Sequence, residues 1–212
     1  MNRNEKFVIT VNRELGSGGR TVGRLLAERL EVPFYDKVLI RALQEKYNLS
    51  VAEIERLKAQ SNSWWANFKR VVGIGQAINP NLFLNQEDDE PETLTTEMIF
   101  QTEKEILLGM AQDESCIIAG RSAFFVLKSH PNHISILIQA PIECRIKRVM
   151  EHQKLSEEEA KKTINRVDKM REEYVKNFAK TSRYDTRNYD LVINMEGKSE
   201  EEAVDLILKY IG

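Results

Sequence analysis

The chain has 212 residues, 42% of them apolar and 30% charged, with a formal net charge of -2; that suffices for one α/β core with an inserted segment and excludes two large independent domains. So balanced a charge gives no reason to expect nucleic acid as a partner, and any basic site must be local. Cys116 and Cys144 are too few for a disulfide scaffold and lack metal-ligand spacing. No signal-peptide core follows Met1 and no apolar run approaches the roughly 20 residues needed to span a bilayer, so a cytoplasmic setting without a membrane partner is expected.

In chain order, Phe7-Val8-Ile9-Thr10-Val11 reads as a strand, a glycine cluster follows, and Val22, Leu25, Leu26 and Leu30 recur at helical spacing. Val32-Pro33-Phe34-Tyr35 reads as a short second strand, with a helix from about Asp36 to Tyr47. Ser50 with Glu53 three residues on is a capping-box signature, which predicts a further helix from Val51 through Ala59. Cys116 to Ala119, Ile134 to Ile138 and Leu191 to Ile193 supply three more apolar runs. Five such runs, most of them separated by helical segments, predict a three-layer α/β fold: a parallel sheet covered by helices on both faces. The last helix opens at Ser199 with Glu202.

Two regions break this rhythm. Residues 61–92 carry Trp64, Trp65, Phe68, Pro80 and the acidic run Glu87 to Glu90, and read as an insertion. Residues 145–187 are densely charged; Ser156 followed by three glutamates opens a helix to about Ala179, read as one or two exposed helices projecting from the sheet.

The glycine cluster carries the most chemistry. Backbone N–H groups of such a loop, between first strand and first helix, converge on a phosphate, and the helix N-terminus adds positive potential. Against the phosphate-loop pattern G-x-x-x-x-G-K-[ST], the chain reads Glu14-Leu15-Gly16-Ser17-Gly18-Gly19-Arg20-Thr21. Glu14 replaces the opening glycine and Arg20 the lysine, keeping the charge with a different shape. Gly16, Ser17, Gly18, Gly19, Arg20 and Thr21 are the candidate nucleotide-binding residues, and the Thr21 hydroxyl is the candidate Mg²⁺ ligand; the alternative is a glycine turn that only links strand to helix. A dinucleotide fingerprint does not fit, since G-x-G-x-x-G is absent and Asp36 lies only about seventeen residues beyond Gly19.

Other residues stay open between two readings. Asp36, closing a strand near the loop, can serve chemistry or cap a helix. Arg121 follows Gly120 at the carboxyl end of a strand, where open parallel sheets bind ligands, or it forms a structural ion pair. Arg145, Arg148, Arg166, Lys169, Arg171, Arg183 and Arg187 suit either phosphate binding or a charged helix surface. His130, His133 and His152 read as surface histidines, the first two beside a turn at Pro131. Trp64 and Trp65 stack on a base, pack the insertion or make a subunit contact, so a homo-oligomer is compatible with the sequence.

Asn12 to Arg20, Pro33-Phe34-Tyr35-Asp36-Lys37, Ile118-Ala119-Gly120-Arg121, Arg166 to Tyr174 and Asn188 to Asn194 together resemble the cytidylate kinase-like family of P-loop phosphotransferases, over nearly the whole chain. The resemblance implies a five-stranded parallel core, an acceptor-binding insertion, matching residues 61–92, and an arginine-rich lid, matching residues 145–187. It assigns Arg20, Asp36, Arg148, Arg166 and Arg171 to catalysis, and Asp36, Lys37, Arg41, Arg121 and Asp168 to the acceptor. The chain departs from cytidylate kinases at Lys37, where they carry serine, and at Ser122, where they carry the aspartate of Gly-Arg-Asp; their lid pattern survives only as Arg166, Asp168, Lys169 and Arg171. The activity implied is Mg²⁺-dependent transfer of the terminal phosphoryl group of ATP to a small acceptor, expected to be a nucleoside monophosphate. A kinase for a non-nucleotide metabolite and a nucleotide-binding regulatory module without turnover are the alternatives.

Overall fold

A computed structural model of the chain describes residues 1–36 and 96–212. Lys37, Arg41, the helix expected over residues 51–59, Trp64, Trp65 and the 61–92 insertion lie outside the described residues, as does all but the first residue of the helix expected from Asp36. The chain divides into two compact units, one of Met1–Tyr35 with Ser115–Gly212, the other Asp36–Glu114.

Five strands form one parallel sheet: β1 Val8–Arg13, β2 Phe34–Asp36, β3 Cys116–Ala119, β4 His133–Gln139 and β5 Leu191–Asn194, in the order β2-β3-β1-β4-β5. Each matches an apolar run in the sequence, although β2 begins two residues later than the run and ends on Asp36. Helices α1 Gly19–Leu30 and α6 Glu200–Ile211 cover one face. Ile9, Val11, Ile136 and Ile138 point to that face at period two, and meet Val22 and Leu26 of α1 and Val204 and Ile207 of α6, recurring at helical spacing. Burial of each such side chain contributes about 1.5–3 kcal/mol, so the sheet and these two helices form a rigid platform.

On the other face stand the alternate residues of the same strands, several of them polar: Thr10, Asn12 and Ser135 are all buried. Short α3 (Ala123–Val126) and long α5 (Glu157–Ala179) meet there through Phe124, Val175, Ala179 and Tyr189. Helix α4 spans Ile142–Gln153 and packs on α5 through Ile146, Val149, Ala160 and Ile164. The Ser156 capping box is present, and so is that of Ser199. The charged region is therefore less exposed than its composition suggests: Arg145, Asp168 and Arg183 are all buried. In the second unit, α2 (Thr96–Asp113) is a helix that sequence reading passed over; Phe100, Ile106, Leu107 and Met110 are buried, but so is Glu103, which interrupts the apolar stripe.

His133 corrects the expectation of a surface histidine. It is the first residue of β4, and its Nε2 shares a 2.8 Å hydrogen bond with the Thr10 hydroxyl. Burial depresses its imidazole from 6.5 to about 4, with Asp190 opposing and His130 adding to the shift. The native state therefore keeps it neutral where the unfolded chain is protonated. Its contribution to stability is complete above pH 6.5 and falls as pH drops toward 4. The urea midpoint of the wild type should decline more steeply over that window than that of His133→Gln; parallel declines would show that His133 titrates normally.

Candidate functional site

The loop from β1 to α1 leaves the central strand where the sheet order reverses, since β3 lies on one side of β1 and β4 on the other. Such switch points, at the carboxyl edge of the strands, are where open α/β sheets place ligands. Gly16 and Gly18 both have φ of +82°, where an L side chain is strained. A Cβ on Gly16 would lie 2.6 Å from the Arg145 carbonyl oxygen, and one on Gly18 would strike the Arg148 guanidinium. Buried Ser17 closes the turn, its amide and hydroxyl donating to the Glu14 carbonyl at 3.3 and 3.0 Å. Gly18 is the N-cap of α1 and supplies no side-chain cap, and the first turn has no acidic residue. The positive end of α1 thus faces the loop with no acidic residue in its own first turn, which holds exposed Arg20 and half-buried Thr21.

Beneath the loop lies a buried ion cluster. Glu14, in the place of the pattern's opening glycine, sits 3.1 Å from Arg145 Nη1 and accepts the Ala140 amide at 3.1 Å. Arg145 also donates to the Leu15 carbonyl at 2.9 Å and pairs with Asp168. Asp168 accepts the Leu15 amide at 3.1 Å, Arg183 Nη1 at 3.3 Å, and lies 3.5 Å from Arg171 Nη1. Arg171 and Arg183 both donate to the Arg13 carbonyl, the former at 3.1 Å. Helices α4 and α5 are in this way tied to the start of the phosphate-loop backbone, at Arg13 and Leu15. Three guanidiniums face two carboxylates, an excess of one positive charge beside the loop. Burial and then repulsion from Arg183 pull the Arg171 guanidinium below its ordinary pKa, with Asp168 opposing.

A second chain of contacts buttresses Arg183. Asn12 donates to the Tyr189 hydroxyl, which donates to the Arg183 carbonyl at 2.7 Å. Burial pushes that hydroxyl up to about 12, so it remains a donor at neutral pH.

The remaining sequence candidates are distributed unevenly. Arg148, on α4, meets the loop at Gly18 and pairs there with Glu200. Arg121 follows β3 in a left-handed turn with Gly120 and Ser122, its guanidinium 5.5 Å from the Tyr174 ring centroid. Arg166 is exposed on the side of α5 away from Asp168 and does not join the cluster. Asp36 ends β2 and is buried. Sequence reasoning did not single out Glu14 as a strut, Arg183 as a buried cation or Glu200 as a partner. A glutamate in place of an obligatory glycine was the one signal available; Arg183 and Glu200 carry none, because their partners are distant in sequence.

The family model described as the cytidylate kinase-like family matches residues 8–197. The chain belongs to the cytidylate kinase-like family. Membership of this family assigns it kinase-type phosphotransfer in outline. Two cytidylate kinases are similar over most of their length: that of Methanosarcina barkeri is 25% identical, with 94% of this chain and 93% of the relative aligned. That of Methanopyrus kandleri is 23% identical, covering 94% and 90%. Among solved structures, an uncharacterized protein from Eubacterium ventriosum superposes with a TM-score of 0.70 at 25% identity, over 97% of this chain and 98% of that one. Among the described residues, no helix of this cytidylate kinase-like protein is long and apolar enough to cross a membrane.

Proposed function

We propose that the chain transfers the terminal phosphoryl group of ATP to a small phosphorylated acceptor, a nucleoside monophosphate in the first instance, with Mg²⁺. The observation that carries this reading is the glycine loop at the uncapped N-terminus of α1, set on the central strand and underlain by an excess of guanidinium charge. The amides of residues 16–21 and Arg20 would hold the donor phosphates, and Arg148, at Gly18, would add N–H donors. The hydroxyl of Thr21, half-buried in the first turn of α1, is a hard oxygen donor and would hold Mg²⁺. When bound, Mg²⁺ supplies charge neutralisation between the transferred group and the leaving phosphate.

On the acceptor side, Asp36, Lys37, Arg41 and Arg121 are assigned to binding. Asp168 is better described as a strut than as an acceptor ligand, because three arginines and one amide already engage its carboxylate. With Arg171 in the same cluster, the inner face of the 145–187 region stays docked, so a lid motion would involve its outer parts. Arg166 takes no part in the proposed mechanism.

Base discrimination requires buried groups that the wrong base leaves unpaired, and Ser122 lacks the carboxylate that could accept two hydrogen bonds. The kcat/KM for cytidine monophosphate should therefore lie within about tenfold of that for another phosphorylated acceptor, a gap of about 1.4 kcal/mol. Steady-state assays over a panel of monophosphates and phosphorylated metabolites test this. A preference for cytidine monophosphate beyond a thousandfold would overturn the weak-selection reading, and turnover confined to a non-nucleotide would replace the acceptor class.

A further inference from the structure

Glu200 is the first residue of α6, and the Ser199 capping box fixes the turn on which it stands: the Ser199 hydroxyl accepts the Glu202 amide at 3.1 Å, and the Glu202 carboxylate accepts the Ser199 amide at 2.7 Å. Its carboxylate pairs with Arg148 of α4, both side chains being about three-quarters buried, at 23% and 30% exposed. The two charged groups meet at the phosphate loop itself. A Cβ on Gly18 would touch Arg148 Nη1 and lie 3.0 Å from Glu200 Oε1.

Two opposite roles are conceivable for a carboxylate in this place. It could occupy the anion position at the head of α1 and compete with phosphate, or it could hold the arginine for phosphate. The donor inventory decides for the second. A guanidinium has five N–H donors, and among the described residues Glu200 takes one of them. The rest are available to an incoming phosphate while the pair stays intact. An arginine on a free stem must lose its rotamer freedom on binding, and one already held has lost it beforehand.

We infer that Glu200 is a positioning residue that holds the Arg148 guanidinium against the phosphate loop, ready for the donor phosphates. The inference rests on the reading of the loop as the donor site. It is tested by calorimetric titration with ATP and Mg²⁺, and by steady-state kinetics, on the wild type, Glu200→Gln, Glu200→Asp, Arg148→Ala and the Arg148→Ala/Glu200→Gln double variant. Glu200→Gln should raise Kd and KM for ATP about fivefold, the scale of a partly exposed ion pair, with kcat within about twofold. Glu200→Asp should recover part of the loss. The double variant should bind no more weakly than Arg148→Ala alone, because Glu200 acts only through Arg148. Equal or tighter binding by Glu200→Gln, or a penalty that persists in full without Arg148, would overturn the inference while leaving the donor site intact. A wild type that does not bind ATP would overturn both.

Discussion

Replacing Asp168 with alanine is expected to lower stability by about 3–5 kcal/mol, the usual consequence of removing one partner from a buried charge network. Arg183 is fully buried and Arg145 nearly so, and both rely on this carboxylate. Without it, Arg145 would retain Glu14 and the Leu15 carbonyl, and Arg183 the Arg13 carbonyl, but the cluster would change from two carboxylates under three guanidiniums to one. The Leu15 amide would lose its acceptor as well. Asp168→Asn keeps an acceptor for that amide and should be less damaging. Urea unfolding of both variants at neutral pH provides the comparison. A loss below about 1 kcal/mol for Asp168→Ala, the range of exposed pairs, would mean that the arginines are hydrated and the cluster contributes little.

The next largest effect is expected at Arg20, and it is an effect on binding. Arg20→Ala should weaken ATP affinity by about 1.5–3 kcal/mol, the range for hydrogen bonds to charged groups, or roughly ten- to more than a hundredfold. The side chain is exposed in the first turn of α1, so the loss should leave the fold intact. Arg20→Lys restores the charge but not the planar fork, and an intermediate affinity is expected. Titration calorimetry at fixed ionic strength reads the difference; an affinity unchanged in Arg20→Ala would remove this residue from the donor site.

The parts of the structure that could be read from sequence are those with a local cause. The apolar run of β1, buried on both faces of the sheet, the helical recurrence of Val22, Leu26 and Leu30, and the capping boxes at Ser156 and Ser199 each depend on neighbours within a few positions, and each is present where the pattern put it. The loop followed from the same kind of signal, three glycines with a cation and a hydroxyl at one strand–helix junction. Helix α2 was passed over because buried Glu103 interrupts its apolar stripe. The ion cluster was illegible for another reason. Arg145, Asp168 and Arg183 meet across separations of 15 and 23 residues, and composition alone favours the common case in which charged helices face water. Glu14 announced only that the loop departs from the usual pattern; what replaces the missing glycine is a strut between Arg145 and the Ala140 amide.

Phosphoryl transfer itself is measured most directly by following the label from ATP carrying radioactive phosphorus in its terminal phosphoryl group, incubated with the protein, Mg²⁺ and a mixture of nucleoside monophosphates and phosphorylated metabolites. Label is expected to move into a phosphorylated acceptor in step with ADP formation, and Arg20→Ala to slow this movement. Binding of ATP with the label remaining in ATP, or appearing only as inorganic phosphate, would contradict it.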